Sequence, residues 1–308
     1  MTLKKIFWPV VGLTAVAVSV WLLVGELRGT SFDDVRDGIV AIPPTAWAAS
    51  ALCSLIAYLA LADYDRMALA HLGKRVPVTF VALCSFTTYA LSHNLGGSVF
   101  SGAVIRYRAY ATKGLTAQDV GVLVAFCWFT FVLSTVLVIS VVLLGVPDLL
   151  DRFADLAGPK TAQVAAFGGL AFVAAYVIGS MLGLKPLRIG GFQLHYPTLP
   201  IVGRQLLIGP MELLAAGAVI YFALPAAGNP GYLTVLGIFL VSFSVAQISH
   251  APGGLGVLEV VFLTGMSEMD PSAVLAALLV FRLFYLIVPL ILALFVVLLF
   301  ERDQFLGR

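Results

Sequence analysis

The chain has 308 residues, of which 61% are hydrophobic and only 11% charged, with a mean hydropathy of +1.04. Ordinary soluble domains hold roughly 45–50% apolar residues, so the composition excludes a soluble fold and points to an integral membrane protein. A net charge of +2, from 18 basic and 16 acidic residues, gives nucleic-acid binding no support.

The first apolar run, Phe7–Val24, follows Lys4 and Lys5. It is long for a signal-peptide core, and "GELRGTS" after it offers no convincing cleavage site, so a retained anchor is expected. Further stretches long enough to span, about 20 residues each, fall at 45–63, 117–145, 163–183, 201–224 and 271–300. Thr116 and Asp119 have capping-box spacing, and Asp270 before Pro271 reads as an N-cap with proline at the first helical position. Pro9, Pro210 and Pro289 lie inside spans, where kinks are expected. Cys53, Cys84 and Cys127 sit in apolar runs without CxxC spacing and read as small buried hydrophobes.

Two more apolar stretches, 78–112 and 231–267, are broken by related phrases: "SHNLGG" at Ser92–Gly97 and "SHAPGG" at Ser249–Gly254. Lys and Arg favour the cytoplasmic side of a membrane. On that rule the N-terminus and loop 64–77 (Arg66, Lys74, Arg75) are inside, but so are Arg106, Arg108 and Lys113. The conflict disappears if 78–112 enters and leaves on one face. The acidic loop at Glu268 and Asp270 requires the same of 231–267, from the opposite face. A glycine-kinked full span is the alternative for each phrase.

The expected fold is therefore all-α: a polytopic membrane helix bundle of about six full spans plus two re-entrant hairpins in an inverted-topology repeat. The first half is 1–150 with hairpin 78–112, and the second is 151–308 with hairpin 231–267. Inverted repeats place transporter binding sites between two halves near the bilayer midplane. Segment 185–200 reads as a short extended or interfacial loop, and no soluble domain is expected.

Charged side chains near the bilayer centre are costly and are functional candidates. Glu212, Glu259 and Arg282 qualify by depth. Arg282 can pair with either carboxylate to pin the second hairpin, or hold a phosphate while the carboxylates contact a cationic group or carry protons; the two readings are compatible. Arg106 and Arg108 suit phosphate oxygens, or simply snorkel to the interface. Gly253, Gly254 and Gly256 allow close approach and positive φ. His93 and His250 are donors, proton carriers or caps. Asp33, Asp34 and Asp37 read as a solvated face. No Walker loop, G-x-S-x-G or HExxH motif occurs. The expectation is no enzyme, no metal site and no cofactor.

At "SHAPGGLGVLE", followed by "LLVFRLFYLIVPL", the chain resembles the transmembrane region of bacterial lysylphosphatidylglycerol synthases, the MprF family, and its stand-alone YbhN-like relatives. "GGSVFSGAVIRYRAY" and "GRQLLIGPMELLAAGAVIYFALP" look like further motifs of that family, so that the likeness covers most of 45–300. The resemblance implies a flippase, the synthase activity residing in a separate soluble domain. With the sequence ending at Arg308, that activity is expected to be absent. It also carries site roles onto Gly253, Gly254, Gly256, Glu259, Arg106, Arg282 and Glu212. The expected function is a lipid flippase or lipid transporter of the bacterial inner membrane, with both termini cytoplasmic. Its partner would be a phospholipid or polyprenyl-linked lipid, and a homo-oligomer is left open. The alternative is a non-transporting scaffold that recruits a lipid-modifying enzyme.

Overall fold

The computed structural model of the chain describes residues 31–95, 98–153, 159–183, 187–189, 192–194 and 196–306. The expected first span at 7–24, with Lys4, Lys5 and Pro9, and the tip glycines Gly96 and Gly97 lie outside the described residues.

The described chain is a helical bundle. A short helix, α1 (Phe32–Ala41), opens with a capping box: Ser31 Oγ accepts from the Asp34 amide, and the Asp34 carboxylate accepts from the Ser31 amide. Next come α2 (Pro44–His71), α3 (Val78–Leu95), α4 (Ser98–Ala111), α5 (Ala117–Gly145) and α6 (Pro159–Met181). A two-stranded antiparallel sheet, Leu187–Ile189 against Phe192–Leu194, falls within the expected extended loop. The chain continues as α7 (Leu199–Ala223), α8 (Tyr232–Ser249), α9 (Val257–Gly265), α10 (Pro271–Phe281) and α11 (Val288–Leu306). Both sequence-read helix starts are present: Thr116 caps α5 with Asp119 in the reciprocal role, and the Asp270 side chain accepts from the Ala273 amide at α10.

Among the described residues six helices are long and apolar enough to cross a membrane: α2, α5, α6, α7, α8 and the run Pro271–Phe300. At about 1.5 Å per residue, α8 is roughly 27 Å long, close to the ~30 Å hydrocarbon core. The first arm of the second expected hairpin is thus itself long enough to cross. Apolar residues cover inner and outer faces alike. Tyr64, Phe239, Phe262 and Phe281 fill the interior, while Leu52, Leu55, Leu59, Phe295 and Leu298 point outward, as a lipid-facing bundle requires.

Small residues bring helices to backbone distance, the usual basis of packing in lipid. A Cβ on Gly209 of α7 would lie 1.7 Å from Ser134 Oγ of α5, and one on Gly237 of α8 only 2.5 Å from Leu149. Pro210 sits inside α7 without interrupting the helix.

The helices on either side of each glycine-rich phrase pack against one another. In the first pair, Gly102 of α4 nests between Thr88 and Ser92 of α3. In the second, Gly265 of α9 meets Ile238 of α8, and Gly254 meets Ala246.

Between α10 and α11, residues Arg282–Ile287 form a π-helical turn. Pro289 accounts for it, because it has no N–H to offer the Tyr285 carbonyl four residues earlier. Other elements supply the missing donors: Ser54 Oγ donates to Phe284 O at 2.7 Å and Tyr58 Oη to Tyr285 O at 2.9 Å, both from α2. Asn94 Nδ2, in the first glycine-rich phrase, donates to Leu286 O at 3.2 Å.

Candidate functional site

The second phrase builds a sharp turn. His250 ends α8 in the left-handed region at φ 56°, unusual for a residue with a side chain. Gly253, Gly254 and Gly256 follow at φ 60°, 62° and 76°, where glycine is favoured. The turn delivers the Gly256 amide to Glu259 Oε2 at 2.9 Å, and Arg282 Nε donates to Glu259 Oε1. Arg282 Nη1 also donates to Gly253 O at 3.0 Å, so one guanidinium holds both the turn and the helix that follows it. Arg282 Nη2 is buried without a partner among the described residues. Of the two carboxylates open to Arg282 from sequence, Glu259 is the one it takes.

Arg106 does not reach out from the protein surface, as a snorkelling arginine would. Its side chain is 5% exposed and its fork is closed on Asp65, which is fully buried: Nη2 lies 2.7 Å from Oδ1, and Nε is 3.2 Å from both oxygens. Tyr110 Oη donates to the same carboxylate at 2.8 Å, and the guanidinium stacks 4.8 Å over Tyr89. Sequence reasoning missed Asp65 because Asp63, Asp65 and Arg66 lower the hydropathy at the end of the expected span, 45–63. The helix in fact runs on to His71. The signal was the helical continuity of "LADYDRMALAH", which carries no glycine or proline. Arg108 is exposed on α4 and outside the cavity lining.

Between these two clusters lies a cavity of about 570 Å³. Most of its wall is apolar, with Leu61, Val124, Trp128, Phe131 and Phe243. Arg106, Glu212, His93 and His250 also reach it. Glu212 is 2% exposed; its Oε1 accepts from Tyr285 Oη at 2.7 Å, while Oε2 has no partner among the described residues. Tyr64 and His93 line the same cavity, and His93 Nδ1 is likewise buried without a partner among the described residues. His93 stacks on Tyr285 with centroids 5.5 Å apart and meets Phe243 edge-on. A smaller hollow beside it is lined by His93, His250, Gly253, Gly254 and Arg282, so the two glycine-rich phrases meet around one space. Among the described residues no cluster of His, Cys, Asp and Glu could hold a metal ion.

Residues 10–293 match the sequence profile of the family described as the lysylphosphatidylglycerol synthase TM region. The chain belongs to this family. It is 31% identical over 254 residues to the inner membrane protein YbhN of Escherichia coli, covering 81% of this chain and 78% of that protein. It is 29% identical over 289 residues to the protein slr0712 of Synechocystis sp., covering 94% and 89%. The phosphatidylglycerol lysyltransferase of Staphylococcus haemolyticus is 25% identical over 297 residues, which is 95% of this chain but 33% of that protein. The residues that the family resemblance singled out divide between the two clusters. Gly253, Gly254, Gly256, Glu259 and Arg282 make the turn assembly, while Glu212 and Arg106 flank the cavity.

Proposed function

We propose that this protein moves a phospholipid, or a lipid with a related headgroup, between leaflets of the bacterial inner membrane, without chemical change to the lipid. The cavity carries this reading. Its wall is apolar enough for acyl chains, and two buried polar atoms of residues that line it, Glu212 Oε2 and His93 Nδ1, have no partner among the described residues. A buried polar atom without a partner costs about 1–3 kcal/mol. A headgroup that satisfies these atoms recovers that cost, whereas an acyl chain alone does not.

We read the two helix pairs as corresponding parts of an inverted-topology repeat, with both termini cytoplasmic. The meeting of His93 with the turn at His250 and Gly253 supports that arrangement, as does the loop-charge pattern. Relatives supply the membrane and the lipid class by name: one is an inner membrane protein and another a phosphatidylglycerol lysyltransferase.

The test is purified protein in phosphatidylcholine vesicles carrying a trace of fluorescent phosphatidylglycerol, with outer-leaflet label bleached by a membrane-impermeant reductant. The wild type is expected to expose inner-leaflet lipid to bleaching, and Arg282→Ala to abolish that exposure by releasing the turn. Wild-type rates in Arg282→Ala refute the role of the turn. No lipid movement by the wild type refutes transport and favours a scaffold that recruits a lipid-modifying enzyme.

A further inference from the structure

Three acidic side chains are buried in the described chain: Asp65, Glu259 and Glu212. Asp65 has Arg106 and Glu259 has Arg282, each within ion-pair distance. Glu212 has no cation at that distance among the described residues, although it is as deeply enclosed as the others. An unpaired ion in such surroundings costs several kcal/mol, and a carboxyl placed there takes a proton instead.

Among the described residues, the neighbouring elements offer Glu212 no compensating charge. From α2, Glu212 faces Tyr58 and Tyr64, with Asp65 already neutralised by Arg106. Tyr89 and His93 of α3 and Cys127 of α5 line the same cavity, and α8 contributes Gln247 and His250. Tyr176 of α6 is engaged with Gln205, and Arg204 of α7 with Asp63. From the π turn come Tyr285, which donates to Oε1, and Arg282, which is bound to Glu259. Glu212, whose Oε2 has no partner among the described residues, lines the same cavity as His93 and His250.

We propose that Glu212 is a proton-binding site whose loading and release alternate with headgroup binding in the cavity, so that lipid movement is driven by exchange with protons. The protonated carboxyl leaves the empty cavity neutral; release of the proton presents an acceptor to the donors of a headgroup. This rests on the lipid-transport reading, and the experiment separates the two.

Purified protein in phosphatidylcholine vesicles with a trace of fluorescent phosphatidylglycerol is given a gradient of one pH unit. One-to-one exchange shifts the steady leaflet ratio of the label by about tenfold when potassium and valinomycin hold the membrane potential at zero. Wild type and Glu212→Asp are expected to show the shift and Glu212→Gln to show a ratio of one, while a pH dye trapped inside the vesicles records proton flux only where the shift occurs. Lipid that equilibrates to a ratio of one in the wild type, whatever the gradient, overturns proton exchange and leaves lipid transport standing. Absence of any lipid movement overturns the transport reading. Infrared difference spectra decide the proton site even then: a protonated-carboxyl band in the wild type at neutral pH, missing from Glu212→Gln, supports it, and absence of that band overturns it.

Discussion

Replacing Asp65 by Asn tests whether the Arg106 cluster is a closed structural unit. The substitution keeps the shape and one acceptor but strands the guanidinium, which now has three contacts to the carboxylate and an exposure of 5%. Breaking a buried pair by neutralising one partner costs about 3–5 kcal/mol, because the other charge stays buried alone. Removing both charges avoids that penalty, so Asp65→Leu with Arg106→Met is expected to fall within about 1–2 kcal/mol of the wild type. Tyr110→Phe deletes only the 2.8 Å hydroxyl contact and should cost about 1–3 kcal/mol. Thermal unfolding in detergent, followed by cysteine-reactive dye or light scattering, reads these as falls in apparent Tm, on the order of 10 °C for Asp65→Asn. If the double variant is as unstable as the sum of its single components, the two charges do not compensate one another and the reasoning fails.

Gly254→Ala should destabilise the protein by about 1–2 kcal/mol from its φ of 62° alone. The new Cβ would also stand 2.9 Å from Ala246 Cβ, whereas Gly168→Ala in α6 meets nothing within 4 Å and should leave apparent Tm unchanged or raised. Helix α1 should be sensitive to acid. Hydrogen bonds from the Ser31 amide and hydroxyl hold the Asp34 carboxyl below its ordinary value. The folded form therefore binds that proton less readily than the unfolded one, so the stabilisation is complete above the ordinary carboxylate value and is lost as pH falls through the lowered one. Hydrogen exchange of amides 32–41 should accelerate over that range in the wild type, and Ser31→Ala should exchange fast throughout.

Periodic and capping signals are legible in the amino-acid sequence itself. Helix ends at Thr116 and Asp270 depend on side chains within three residues, so their spacing is written in the chain. Mean hydropathy, in contrast, misplaces the end of α2, because charged residues buried against partners look the same as loop residues when counted singly. Arg106 is recognisable as a candidate but its partner is not, since Asp65 is 41 residues away and only the fold joins them. The choice of Glu259 over Glu212 for Arg282 is open in the sequence for the same reason: depth along a helix does not say which face it presents. Pro289 points to an irregularity, yet its form, a π turn with three donors from α2 and α3, depends on neighbours that no local pattern specifies.

That π turn links the two glycine-rich phrases. Asn94 of the first is bonded to its last part, while Arg282 at its beginning grips Gly253 of the second. The end of α3 and the turn before α9 are thereby fastened to one six-residue segment of backbone, a covalent bridge between them that runs beside the cavity and not across it.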